Sequence, residues 1–237
     1  MGHRPEENLP VVVGVDGSPP ALDAARWAAR EAARRGAPLE VVTRADDALP
    51  LLIAASRRAE LLVIGDRDLR GVAGLIAHAD CPVVVVRGDQ HSGTGPVVVG
   101  VDGSQLGEAA LAFAFRTADL REALLIAVHA WTDGALDAGL VPLLGWDDVE
   151  TAERPLLAEW LAGWSDKYPD VVVQRVVVRD RPAHAVVEQA TAAAARLVVV
   201  GSHGRGSAAA FVLGSVSHAV LHHAPCPVAV VRPERTP

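Results

Sequence analysis

The octapeptide Val-Val-Val-Gly-Val-Asp-Gly-Ser stands at Val11–Ser18 and recurs unchanged at Val97–Ser104, an offset of 86 residues. An internal repeat of this kind requires two related folding units rather than one large domain. A second pair, Cys-Pro-Val-Val-Val-Val-Arg at Cys81–Arg87 and Cys-Pro-Val-Ala-Val-Val-Arg at Cys226–Arg232, is offset by 145. The first copy is therefore 59 residues shorter than the second. Gly65, ending Leu-Leu-Val-Ile-Gly, matches Gly201, ending Leu-Val-Val-Val-Gly, at an offset of 136, so 50 of the missing residues precede this glycine and nine follow it. The polar, glycine-rich run that begins at Gly88 reads as a linker. The sequence thus divides into a truncated unit at 1–88, a linker at 89–95 and a complete unit at 96–237.

Each unit alternates apolar runs of strand length with alanine-rich stretches of helical spacing. In the second copy the strands are expected at Val97–Val101, Leu124–Ala130, Val171–Val178, Leu197–Val200 and Val228–Val231. Helices are expected from a Ser104 cap to Asp119, over Glu153–Trp164, over Ala183–Ala195 and over Ser215–His222. In the first copy four strands are expected, at Val11–Val15, Leu39–Thr43, Leu61–Ile64 and Val83–Val86, with helices at Pro19–Arg35 and Asp47–Ala59. Strand-helix alternation predicts a doubly wound parallel sheet in each unit, an α/β fold of Rossmann-like type. Half of the residues are apolar but only 4% are aromatic, so the cores must be built from Val, Ala and Leu. That diet suits buried parallel strands covered by helices.

A net charge of −7 argues against general nucleic-acid binding, which relies on basic surfaces. The two cysteines cannot supply a disulfide framework, no apolar run reaches the length of a membrane span and no leader pattern opens the chain, so a soluble cytoplasmic protein is expected.

The chemistry concentrates in the segment from Gly201 to Ser217. A glycine directly after a buried strand admits a ligand close to the backbone, and Gly204 permits a tight turn. Gly214 and Ser215 then open a helix whose first N–H groups form an anion site, to which the hydroxyls of Ser215 and Ser217 could add donors. Ligands of doubly wound sheets bind beyond the carboxyl ends of the strands, where Asp102, Ala130 and Gly201 should converge. Asp102 is a candidate acceptor for a ribose hydroxyl, whereas Asp16 reads better as a turn former.

Gly201, Gly204, Gly214 and Ser215 fit the pattern Gly-x2-Gly-x9-Gly-Ser/Thr, and with the strand-Asp motif and the terminal Cys-Pro-Val strand the chain resembles the ATP-binding branch of the universal stress proteins. The resemblance covers nearly all of the second copy and, more thinly, the first. It implies an adenine-nucleotide site at Val101, Asp102, Ala130, Gly201, Gly204, Gly214, Ser215, Val216 and Ser217, with ATP as ligand and Mg²⁺ recruited through the phosphates. It also implies the strand order 3-2-1-4-5, with strand three on the edge, and pairing through strand five.

The larger deletion then removes only an edge strand. The smaller one shortens the loop after Gly65 and puts Asp68 where the second motif glycine belongs, so that Asp66 and Asp68 would face the phosphates. One nucleotide site per chain is expected, with the two strand-five edges pairing within the chain to form a pseudo-dimer. Further self-association and a regulatory protein partner are left open. His218, His222 and His223 resemble a metal cluster, but His222 and His223 point apart on a helix and no Cys or carboxylate is near, so they read as surface or helix-end histidines and no metal site is expected. His203 and Arg205 lie in the glycine loop. Cys81 and Cys226 read as buried small residues, and Trp160 and Trp164 as cover for the sheet. The leading function is a nucleotide-dependent stress-response protein. The alternatives are an interaction module that binds no nucleotide, with 131–150 as its surface, and a weak ATPase. No catalytic group is visible, so the balance lies against an enzyme.

Overall fold

The computed structural model describes residues 9–43, 48–66, 69–87, 94–104, 107–131, 146–202 and 213–233, with the side chains of 69–70 and 146–152 outside that description. In the first half β1 (Val11–Val15), α1 (Pro19–Arg35), β2 (Leu39–Thr43), α2 (Ala48–Ser56), β3 (Leu61–Gly65), α3 (Leu69–His78) and β4 (Val83–Val86) follow in order. The second half contains β5 (Val97–Gly100), α4 (Glu108–Leu120), β6 (Leu125–Trp131), α5 (Trp146–Lys167), β7 (Val173–Arg179), α6 (Pro182–Ala192), β8 (Leu197–Gly201), α7 (Ser215–His223) and β9 (Val228–Val231).

All nine strands join one sheet in the order β2-β1-β3-β4-β9-β8-β5-β6-β7. From the seam outward, the second half runs β9-β8-β5-β6-β7, the order 3-2-1-4-5 read from its outer edge. The first half repeats it without the outermost strand, so β2 forms that edge. Pairing is parallel within each half and antiparallel only where β4 meets β9, with Val83 opposite Val230 and Val85 opposite Val228. The valine-rich inner strands are buried on both faces, as a sheet layered between helices requires, while the edge strands β2 and β7 are partly exposed. One core lies under α1, α4 and α5, the other under α2, α3, α6 and α7, and each runs across both halves.

The seam carries a pseudo-twofold set of contacts at the repeat offsets. The Arg35 guanidinium lies over Phe113 at 5.2 Å and that of Arg121, its repeat mate, lies over Trp27 at 5.4 Å. Arg87 donates to the Leu221 carbonyl near the end of α7, and Arg232 donates to the Ile76 and Ala77 carbonyls near the end of α3. Cationic donors at helix C-termini satisfy carbonyls that lack intrahelical partners. The symmetry breaks at Glu31, whose repeat mate is Thr117. Glu31 binds Arg35 and Arg121, each at 2.8 Å, while Thr117 accepts one bond from Arg35.

Several expected boundaries shift. Ser104 does not cap α4, which begins at Glu108 after Gly107. The Ser104 hydroxyl instead donates to Asp102, and its oxygen accepts from the Gly107 N–H. Ser18 precedes α1 in extended geometry, but its hydroxyl is likewise turned to the preceding aspartate. The expected helix over Glu153–Trp164 is the middle of a 22-residue α5 that continues through Pro155. Helix α3 was not anticipated, although the 145-residue offset from α7 marks its place.

Candidate functional site

The repeated Asp-Gly-Ser segment folds into the same turn in both halves. Asp102 Oδ1 accepts from the Ser104 N–H at 3.0 Å and from its hydroxyl at 2.7 Å, and Asp16 does the same to Ser18. Gly17 and Gly103 sit at φ +83° and +68°, a region that costs glycine little and other residues strain. The turn-former reading proposed for Asp16 therefore holds for Asp102 as well. What separates the two copies is the surroundings.

In the second half the register brings the expected residues to one end of the sheet. Val97 to Val99 lie opposite Leu197 to Val199, which carries Val101 and Gly201 to the same carboxyl-terminal edge. On the other side, the Val101 N–H bonds the Val128 carbonyl, and Ala130 lies two residues further along β6, opposite Val178 of β7. Because β5 has β6 on one side and β8 on the other, this edge is the switch point of the winding. Helix α7 is fastened over it. Gly214 N–H donates to the Ser202 carbonyl at 2.8 Å, and the buried Ser217 hydroxyl donates to the Gly201 carbonyl. The Ser217 hydroxyl is thus directed at the scaffold in this structure.

Gly214 is the N-cap of α7, no side chain caps it, and its carbonyl accepts the first helical bond from His218. The N–H groups of Ser215, Val216 and Ser217 open the helix at its positive end. Ser215 is exposed, and Val216 is half-buried against the core. Gly204, His203 and Arg205 lie outside the described residues, as do Asp68 and residues 132–145 of the second-copy insertion.

The corresponding edge of the first half is different. A cavity of about 140 Å³ remains there, lined by Gly14, Asp16, Val42, Leu52, Ile64 and Gly65. Small-molecule pockets usually measure about 300 Å³ or more. Asp66 does not simply face this space: its carboxylate lies 3.8 Å from Arg87, the residue that also reaches across the seam. Gly65 has no room for a side chain, since a Cβ there would stand 2.6 Å from the Pro20 backbone.

Two groups of side chains escaped the sequence reading. His129, buried on β6, places Nδ1 2.8 Å from the Val101 carbonyl oxygen and Nε2 3.1 Å from Glu153 of α5. Nothing in the linear sequence links these residues. Asp180, His184 and Glu188 gather on the outer face around α6, with ligand atoms within 4.8 Å of one another. Their four-residue spacing is the one signal of this group in the sequence. Hydrogen bonding to Asp180 raises the His184 pKa, and the same bond lowers that of Asp180. Trp160 and Trp164 do cover the sheet, with Trp164 stacked on Phe115 at 6.2 Å.

The sequence profile of the universal stress protein family matches residues 8–51 and 94–232, leaving out the stretch that contains the shortened loop after Gly65. Universal stress protein Rv2005c of Mycobacterium tuberculosis is 38% identical over 298 aligned positions, covering 97% of this chain and 99% of that protein. The fold is similar to a universal stress protein from Archaeoglobus fulgidus DSM 4304, at TM-score 0.65 and 17% identity over 96% of this chain and 97% of that one. UspA from Lactobacillus plantarum is similar at TM-score 0.51 and 26% identity, covering 60% of this chain and 100% of its own.

Proposed function

Because the chain belongs to the universal stress protein family, we propose that its second half binds ATP and that the bound nucleotide governs conformation or partner choice in a cytoplasmic stress response. The observation that carries this reading is the opening turn of α7. It has no side-chain cap, is fastened to the end of β8 through Gly201 and Ser202, and shares a sheet edge with Val101, Asp102 and Ala130. The α7 N–H groups would hold phosphates, the backbone near Ala130 would meet the adenine, and Asp102 would lie by the ribose. Gly201, Gly204 and Gly214 would let the backbone approach the ligand, and Mg²⁺ would enter on the phosphate oxygens. No helix among the described residues is long and apolar enough to cross a membrane. We take the units to run over 1–88 and 96–237, and the paired β4 and β9 edges to make the chain a pseudo-dimer of them.

The first half serves as a structural partner, since its shortened loop after Gly65 puts Asp68 where the second motif glycine belongs. Equilibrium titration is expected to give one ATP per chain. Gly204→Asp, which imitates the first copy, is expected to lose it, while mass spectrometry of ligand released from freshly purified wild type identifies the nucleotide. Two ATP per chain, or unaltered binding by Gly204→Asp, would overturn the assignment.

A further inference from the structure

The turn that carries Asp102 is held from behind by a side chain outside the glycine motif. His129 is 4% exposed, and both of its ring nitrogens face oxygens. A carbonyl oxygen only accepts, so Nδ1 carries a proton and donates it to Val101, the residue immediately before Asp102. Nε2 meets the Glu153 carboxylate at 3.1 Å, and the Trp160 indole packs edge-on against the ring, with centroids 5.1 Å apart at 81°. The same indole closes on Gly103, where an added Cβ would fall inside it. Helix α5 thus grips the turn twice, once through the imidazole and once directly.

We infer that His129 is a positioning residue for the nucleotide-facing turn, acting through the Val101 carbonyl, with Glu153 and Trp160 of α5 fixing its ring. This rests on the nucleotide reading of the second half. The Glu153 carboxylate and the Trp160 indole flank the ring from the α5 side and restrict its rotation. It gives the larger deletion in the first half a functional consequence. Position 43, the repeat mate of His129, is an exposed threonine, and the counterpart of α5 is missing. The Asp16 turn keeps its shape, and among the described residues no histidine of β2 backs it.

The test compares wild type, His129→Ala and His129→Asn, since an asparagine amide N–H can replace Nδ1–H. ATP affinity measured by calorimetry should fall about tenfold in His129→Ala, the scale of one lost buried hydrogen bond, and return to within about threefold of wild type in His129→Asn. In the nucleotide-free protein, the backbone amide resonances of Gly103 and Ser104 should shift in His129→Ala and be restored in His129→Asn. Wild-type affinity in a folded His129→Ala, or unmoved turn resonances, would overturn the positioning role. Wild type that binds no ATP would instead overturn the nucleotide reading, and the resonances would still decide whether His129 holds the turn.

Discussion

Glu31 shows how a single residue can set the strength of the seam. Its side chain is 1% exposed, as is that of Arg35, and Arg121 closes the cluster from the other half. Burial alone would raise its pKa, but the attraction of Arg121 and Arg35 outweighs burial and leaves the carboxyl below its ordinary value. A depressed folded pKa contributes stability that is fully present above the unfolded value near 4.5 and is lost as pH falls through the folded one. Acid should therefore weaken the seam below about pH 4.5. Glu31→Ala removes the carboxylate that pairs with the buried Arg121 guanidinium, while Arg35 keeps Glu60 at 2.7 Å, and should cost about 3–5 kcal/mol, read from denaturant midpoints at pH 7. In the variant, the part of the acid-induced loss that belongs to Glu31 should disappear. The signal for this cluster was present as Glu31 and Arg35 four residues apart on one helix, but its partner is 86 residues beyond Arg35 in sequence. Only the repeat offset could have suggested that Arg35 and Arg121 occupy matching places.

At the scale of elements, the two halves differ by what α5 and β7 cover. The registers Val13 opposite Val41 and Val99 opposite Ala127 make Val41 and Ala127 equivalent positions. Val41 is 53% exposed, whereas Ala127 is fully buried in the core shared with α5. Val41→Lys should change stability by no more than about 0.5 kcal/mol and further guard an open sheet edge against pairing. Ala127→Lys should cost more than about 4 kcal/mol, because it drives a charge into that core. Equal costs in denaturant titrations would contradict this comparison. The order of elements was legible because strand and helix periods alternate cleanly, and the missing edge strand could be read from the two offsets. Boundaries set by tertiary contacts were less legible. Ser104 has the composition of a helix cap and its oxygen does accept from the Gly107 N–H, but the α-helix starts four residues later, at Glu108. In the site, the strand-end aspartate, the glycines after β8 and the opening of α7 are local features and could be found by spacing. The commitment of Ser217 to Gly201, and of His129 to Val101, depends on chain segments 16 and 28 residues apart and could not.

On these contacts the whole molecule is expected to unfold as one cooperative body, with the covalent connection contributing little to holding it together. The sheet is continuous through β4 and β9, both cores cross the seam, and the Arg87 and Arg232 contacts tie the α3 and α7 helix ends across it. Each half also carries its own reporter. Cys81 and Cys226 are both buried, and burial pushes their thiols up to about 12, so neither should react with a disulfide reagent at pH 8 while its half is folded. If the halves open together, both thiols should become reactive at the same denaturant concentration. Cleavage at a protease site inserted at 89–95 should leave the fragments co-eluting in size-exclusion chromatography, since the seam rather than the linker joins them. Adding Glu31→Ala to the cleaved protein should weaken the association of the fragments at pH 7, because Arg121 of the second half then loses the carboxylate it meets across the seam. Separate unfolding would show instead as Cys81 labelling at lower denaturant than Cys226, with fragments that part on cleavage alone. That result would make the first half an appended unit rather than half of a single sheet.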